Sequence, residues 1–393
     1  MSKTSIFLNH NFQIACGLSL TIMMMVAAIA PAFPGIMQYF NIDEKSVGML
    51  ITAFSIPSFI FGPLGGIIAD RLGRKRVMVT SLLSLAIFGG ACSFAPNFLT
   101  LIILRILQGI GSAPMASIGV TIISDIFSGN DRARALGFNN TMMYIGYIIY
   151  PILGGALAGI AWNYPFLLFF LALPLAIIVL LYLKVPEPEV SQPLSIYLGA
   201  TLKYLKSWKV IWLFAATIMT YILLYGALLV YFIILLSDKF GATPFITGLF
   251  VSLVGLCTAV TSTQQGRLSS KLSSRTIVMC AFLLYAISVA IVPIMPGMWL
   301  CLISPLLFGI AHGMNLPSLT LIASKVAPLE NRAGFMALQT TMIPLGMTLA
   351  APVVGLFNRT AGMDCAFYLT AAIALIIPVT AIFIPGREED CSF

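Results

Sequence analysis

The sequence predicts an all-α membrane protein: twelve transmembrane helices in two pseudo-symmetric six-helix bundles. Three observations predict it. The 393 residues are 60% hydrophobic and 9% charged, with a mean hydropathy of +1.02, far more apolar than a soluble globular domain. Apolar runs of roughly 18 residues or more recur along the chain, each long enough to cross a bilayer core of about 30 Å. The chain also repeats itself at a spacing of 200 residues.

The spans follow in order. The first, 12–38, lies just after Lys3, is too long for the apolar core of a signal peptide and has no convincing cleavage site. Spans 47–69, 77–95, 98–126, 134–157 and 162–183 complete the first half. The second half comprises 210–236, 245–265, 276–295, 298–325, 335–357 and 364–385. Placing both termini in the cytoplasm puts seventeen of the 21 Lys and Arg residues on that side and three, Lys45, Lys239 and Arg359, on the other. Arg105 falls inside a span. This positive-inside bias fixes the orientation as multi-pass in the cell inner (plasma) membrane, both termini cytoplasmic. The net charge of +8 then reflects topology and contact with anionic membrane lipids, not nucleic-acid binding.

Shifted by 200 residues, the halves align without a gap from the second span to the fifth. Gly48 meets Gly248, Gly109-Ile110 meets Gly309-Ile310, and Arg132-Ala133 meets Arg332-Ala333. Gly146 and Gly155 meet Gly346 and Gly355. Six spans separate the copies, so both insert with the same orientation, as a parallel repeat. The domain reading is an N-terminal bundle at 1–188, a cytoplasmic linker at 189–209 and a C-terminal bundle at 210–393.

Enzyme chemistry finds no support. Seven cysteines show no metal spacing and six lie in or at the ends of apolar spans, where small core roles are expected. There are two histidines, His10 and His312, and no clustered carboxylates within a span. No cofactor and no metal is expected. The chain is read as a monomer.

Charge concentrates in GGIIADRLGRKRVM, Gly65 to Met78. Gly66, Asp70, Arg71, Gly73, Arg74 and Lys75 resemble the G-x-L-A-D-R-x-G-R-K signature of the major facilitator superfamily. Arg105, Gln108, Gly109 and Gly111 resemble its fourth-helix R-x-x-Q-G-x-G motif. GYIIYPILGG, Gly146 to Gly155, resembles the G-x-x-x-G-P-x-x-G-G motif of the 12-helix drug:proton antiporter branch, with Tyr150 where the second glycine belongs. The resemblance implies the major facilitator fold and rocking of two bundles about a central site. It also implies that the charged loop latches the cytoplasmic side. Asp70 would sit at the N-terminus of the eleventh helix near Arg332–Phe335, and Asp125 would pair with Arg74.

Spans one, four, seven and ten line the cavity in this family, and helical stripes on them supply candidates. They are Thr21 and Met25 on the first span, Arg105 and Gln108 on the fourth, Tyr221 and Tyr225 on the seventh, and His312 and Asn315 on the tenth. The fifth adds Asn140, Tyr144 and Tyr147. Arg105 and His312 stand out, because ionisable residues inside a membrane are usually functional; Arg105 also reads as a fastener of its bundle. Proton coupling is assigned to His312, with Arg105 and Asp125 as further candidates. The resemblance implies a secondary transporter working by alternating access, with proton-coupled efflux of a small amphipathic compound or drug. The alternative is an organic anion or polar metabolite, imported or exported, with Arg105 pairing the substrate.

Overall fold

A computed structural model of the chain describes residues 8–184, 207–327 and 332–382. Most of the 189–209 linker lies outside them, and so do the side chains of Gly66, Asp70, Asp125 and Arg332. Among the described residues every regular element is helical. In chain order they are α1, His10–Phe40; α2, Glu44–Leu72; α3, Arg74–Ala91; α4, Phe98–Ser112 continued by Met115–Ile126; and α5, Gly129–Ala158. Next come α6, Tyr164–Tyr182; α7, Trp208–Phe240; α8, Pro244–Thr263; α9, Ser274–Ala290; and α10, Met298–Val326. A last continuous stretch turns at Gly362, where φ is +84°, and divides into α11, 332–361, and α12, 363–382. Nine of the helical stretches, one of them this divided one, are long and apolar enough to cross a membrane. With the shorter apolar segments of α4 and α9, they are consistent with the twelve expected spans.

The described chain forms two compact units. Of the described residues, unit 1 holds 8–43, 49–184 and 243–252, so the first turns of α8 belong to it. Unit 2 holds 44–48, 207–242, 253–327 and 332–382. Inside unit 1, α1 packs on α5, and α3 packs on α4 and α6. Inside unit 2, α7 packs on α11 and α9 on α10.

Repeated glycines set close helix approaches in both halves. A Cβ on Gly109 of α4 would overlap the Phe54 carbonyl oxygen of α2 in unit 1. Its mate Gly309 of α10 faces the Val254 carbonyl of α8 in unit 2, where an added Cβ would sit 2.7 Å from the oxygen. Both contact residues are 200 apart, as the glycines are. With no side chain between them, the backbones approach as small-residue membrane interfaces do. The charged motif's Gly73 has a different task. It separates α2 from α3 at φ +90°, a backbone conformation costly for residues with a Cβ. In the second half Ser273 takes this place with φ −64° and caps α9 by accepting from the Thr276 amide at 3.2 Å.

The first helix of each half departs from the 200-residue register. Ser19 donates to Asn139 in unit 1 at 2.8 Å; the corresponding pair in unit 2 is Thr217 with Gln339 at 2.6 Å. Asn139 and Gln339 are 200 apart, but Ser19 and Thr217 only 198. The stripe on α1 that matches Thr217 and Tyr221 is therefore Ser19 and Met23, not Gly17 and Thr21. At the far ends the spacing returns to 200, with Asn41 and Gly241 both in the left-handed region at φ 51° and 64°. The difference is taken up by winding. α1 is interrupted by a 3-10 turn, Ala30–Ala32, whereas α7 carries a ten-residue π-helix, Leu223–Phe232. A 3-10 segment is stretched at about 2.0 Å per residue, and a π segment holds more residues per length.

Candidate functional site

The polar side chains expected to carry function gather in separate sets, one within each unit. In unit 1, Arg105 is wholly buried. Its Nε donates to the Leu50 carbonyl at 3.2 Å, and Nη1 donates to the Met25 carbonyl at 3.2 Å and to Gln108 Oε1 at 2.6 Å. The guanidinium carbon lies 4.7 Å from the Phe54 ring centroid, a cation–π distance. Three acceptors from α1, α2 and α4 thus hold the one cation, which ties these helices together. Its Nη2 is buried with no hydrogen-bond partner, as is Gln108 Nε2.

Thr21 is buried, but its hydroxyl donates back to Gly17 O at 2.9 Å. Met25 is buried and contributes its carbonyl to Arg105. On α5 the buried amide is Asn139; Asn140 is exposed, and Tyr144 and Tyr147 are half-buried. Asn140, Tyr144 and Tyr147 therefore share an accessible face, while Asn139 is turned into the helix packing. Of the loop residues, Arg71 is exposed and Arg74 and Lys75 are half-buried. The pairings expected of Asp70 and Asp125 rest on those two side chains, which lie outside the described residues.

Unit 2 holds the denser set. Tyr221 and Tyr225 of α7 stack with ring centroids 6.1 Å apart at 18°. His312 of α10 is 2% exposed, and its Nδ1 lies 2.7 Å from the Tyr285 hydroxyl of α9. Tyr221 and Tyr285 meet the imidazole edge-on, with centroids at 6.3 and 6.2 Å, and Phe308 completes its surroundings at 6.0 Å. Among the described residues, His312 Nε2 is buried and has no hydrogen-bond partner. Three residues from here, Asn315 Nδ2 donates to Thr220 Oγ1 at 2.7 Å. Gln339 Nε2 of α11 donates to Thr217 Oγ1 at 2.6 Å.

Tyr221, Tyr225, His312 and Asn315 thus lie near one another within unit 2. The structure adds Gln339, Thr220 and Tyr285, which sequence reasoning missed. Gln339 carried a usable signal, because the 200-residue shift sets it opposite Asn139, amide against amide. Tyr285 carried none: its repeat mate is Leu85.

Polar and ionisable side chains buried in otherwise apolar helices, on a repeated frame of close glycine contacts, define a polytopic carrier. The Major Facilitator Superfamily profile matches residues 15–236 and 213–390, and the chain belongs to that family of membrane transporters. Among curated relatives, it is 26% identical to Multidrug resistance protein 2 of Bacillus subtilis over 340 residues, 84% of each chain. It is 32% identical to the Bacillibactin exporter of the same species over 145 residues, a match spanning about a third of that protein (36%). Quinolone resistance protein NorA of Staphylococcus aureus matches at 28% over 146 residues, 37% of each chain. Among solved structures, the nucleoside transporter NupG superposes with a TM-score of 0.80 at 14% identity, covering 95% of this chain and 99% of that one. The D-xylose-proton symporter gives 0.79 at 16% identity, over 98% and 99%. At these identities the structural likeness speaks for the fold.

Proposed function

We propose that this transporter exports a small amphipathic compound in exchange for protons, by alternating access in the cell inner membrane with both termini cytoplasmic. The observation that carries the coupling is His312, buried in α10 and held at Nδ1 by Tyr285 while Nε2 is left without a partner. Imidazole titrates close to physiological pH. A proton can arrive at Nε2 only when Nδ1 carries the ring's hydrogen and donates to the Tyr285 oxygen, and its arrival makes the ring a donor at both nitrogens. Tyr221 and Phe308 supply the other faces of the imidazole. The export direction is supported by the relative named as a multidrug resistance protein along most of its length, and by the G-x-x-x-G-P-x-x-G-G-like stretch of α5.

The test is pH-gradient-driven uptake into proteoliposomes, for the parent protein and for His312→Gln. Loss of gradient dependence with surviving counterflow is the expected result. Gradient-driven transport that persists in His312→Gln removes the histidine from coupling, and Asp125 becomes the candidate.

A second reading, transport of an organic anion, is favoured by one observation: the buried Nη2 of Arg105 has no partner. Against it stand the three acceptors that already hold this guanidinium. Counterflow driven by carboxylates and lost in Arg105→Gln would establish it.

A further inference from the structure

The amides of unit 2 face their threonines nitrogen first, and this names what they lack. Thr217 donates its hydroxyl hydrogen to Leu213 O at 2.9 Å, and Thr220 donates to Ala216 O at 2.8 Å, each one turn back along α7. A hydroxyl has a single hydrogen. Once it is spent, each Oγ1 offers lone pairs alone, so the group that meets it has to be a donor. The amide nitrogens of Gln339 and Asn315 accordingly face Thr217 and Thr220. Both amide carbonyls are turned away. Among the described residues, Gln339 Oε1 and Asn315 Oδ1 are buried with no hydrogen-bond partner, in side chains 7% and 0% exposed.

The first half runs the same pair in the opposite sense. There Ser19 donates to Asn139 Oδ1 at 2.8 Å, so the amide oxygen is satisfied. The unpartnered carbonyls are a property of unit 2 and not of the repeated frame. Leaving a buried acceptor without a donor is costly. Here two are left, on amides that reach α7 from α10 and α11 and meet it at positions three residues apart, one face of the helix. Beside them lie the stacked rings of Tyr221 and Tyr225.

We propose that Asn315 and Gln339 form the amine-recognising pole of the substrate site: their two carbonyls accept N–H bonds from a primary or secondary ammonium, whose aromatic or apolar body rests on Tyr221 and Tyr225. An ammonium carries several donors and so serves two acceptors at once, and tyrosine faces attract cations. A carboxylate offers acceptors alone and would leave both carbonyls unsatisfied. This substrate class rests on the transport reading above.

The test uses the purified full chain and a ladder of probes with one apolar body: 2-(1-naphthyl)ethylamine, its N-methyl derivative, its N,N,N-trimethyl derivative, and 1-naphthylpropionate. Charge and the naphthylethyl body are kept across the three cations while N–H donors are replaced by methyl groups. The N-methyl probe, with one methyl and two N–H donors, separates added bulk from lost donors. Binding is read by calorimetry in detergent. The primary amine is expected to bind at least about tenfold more tightly than the trimethylammonium, the loss of charge-assisted hydrogen bonds. Asn315→Leu and Gln339→Met, checked for folding by melting and size exclusion, should bind the amine and the trimethylammonium equally. Equal binding of the two cations by the parent, tighter binding of the propionate, no binding of the amine, or variants that keep the preference would each overturn the proposal. The ladder on the parent needs no variant, so a misfolded substitution leaves the test intact. N–H preference without gradient-driven flux keeps the site and removes proton-coupled export. Flux without N–H preference does the reverse.

Discussion

Replacing Gly109 or Gly309 by alanine should weaken the fold where replacing Gly137 strengthens it. All three are helical. Alanine relieves the backbone-entropy cost of glycine by about 0.5–1 kcal/mol in each, so this contribution cancels in the comparison. What remains is space. Around Gly137 an added Cβ meets nothing within 4 Å. At Gly309 it would stand 2.6 Å from Cys257 Cβ and 2.7 Å from the Val254 oxygen, and at Gly109 it would overlap the Phe54 oxygen. Ordinary carbon–oxygen contacts are about 3.3–3.6 Å, so each helix pair must part by about 1 Å. A gap of that size forfeits roughly a quarter to a half of the dispersion attraction along the seam, and overpacking of this kind costs about 1–3 kcal/mol. Gly109→Ala and Gly309→Ala should each be less stable than Gly137→Ala by about 1–3 kcal/mol. Reversible unfolding in mixed micelles measures the difference. Three variants of equal stability would refute the reasoning. A cost at Gly109 with none at Gly309 would refute the claim that both halves close on the same contact.

The remaining predictions concern the loop and α5. Asp70→Asn or Arg74→Ala should depress transport while leaving insertion intact, because the latch reading assigns them charge-assisted bonds worth about 1.5–3 kcal/mol. A shift of about tenfold or more between conformations follows. Cysteine-labelling rates on the cytoplasmic side should rise, and unchanged labelling with unchanged transport would remove the gating role. Tyr150 is 7% exposed, so Tyr150→Gly should cost about 3–5 kcal/mol, as large-to-small core changes do. Transport per folded molecule should stay the same, and a leak or a reversed direction preference in the variant would show that the ring serves more than packing.

Much of this architecture is written in hydropathy and in the 200-residue repeat, because membrane solvent forces long apolar helices and the packing glycines recur with them. The two-residue slip between α1 and α7 is not. It arises from the hydrogen-bond pattern inside Leu223–Phe232, and apolar composition is the same whether a helix winds as α or π. Choosing Asn140 over Asn139 as the amide of interest turns on a rotation of about 100° per residue, finer than the boundaries a sequence gives. Tyr285 is hidden for another reason: its contact with His312 joins α9 to α10, and nothing in one sequence marks that pairing.

The repeat also separates frame from chemistry. Positions that keep their residue across 200 places carry packing, as with Gly109 and Gly309 against Phe54 and Val254. Where ionisable and hydrogen-bonding groups differ, the halves have diverged: Arg105 stands opposite Pro305, Gln108 opposite Phe308, His312 opposite Ser112 and Asn315 opposite Met115. A buried polar side chain costs free energy unless it is satisfied, and packing alone would not require it in one half and forgo it in the other. Arg105 meets most of that cost within its own unit through three acceptors, its Nη2 alone finding no partner among the described residues. His312 Nε2, Asn315 Oδ1 and Gln339 Oε1 also find none there, and each of these side chains makes a single hydrogen bond. The three bonds of Arg105 tie α1, α2 and α4 together, and it is to the groups with unmet hydrogen bonds in unit 2 that we assign the proton and the substrate.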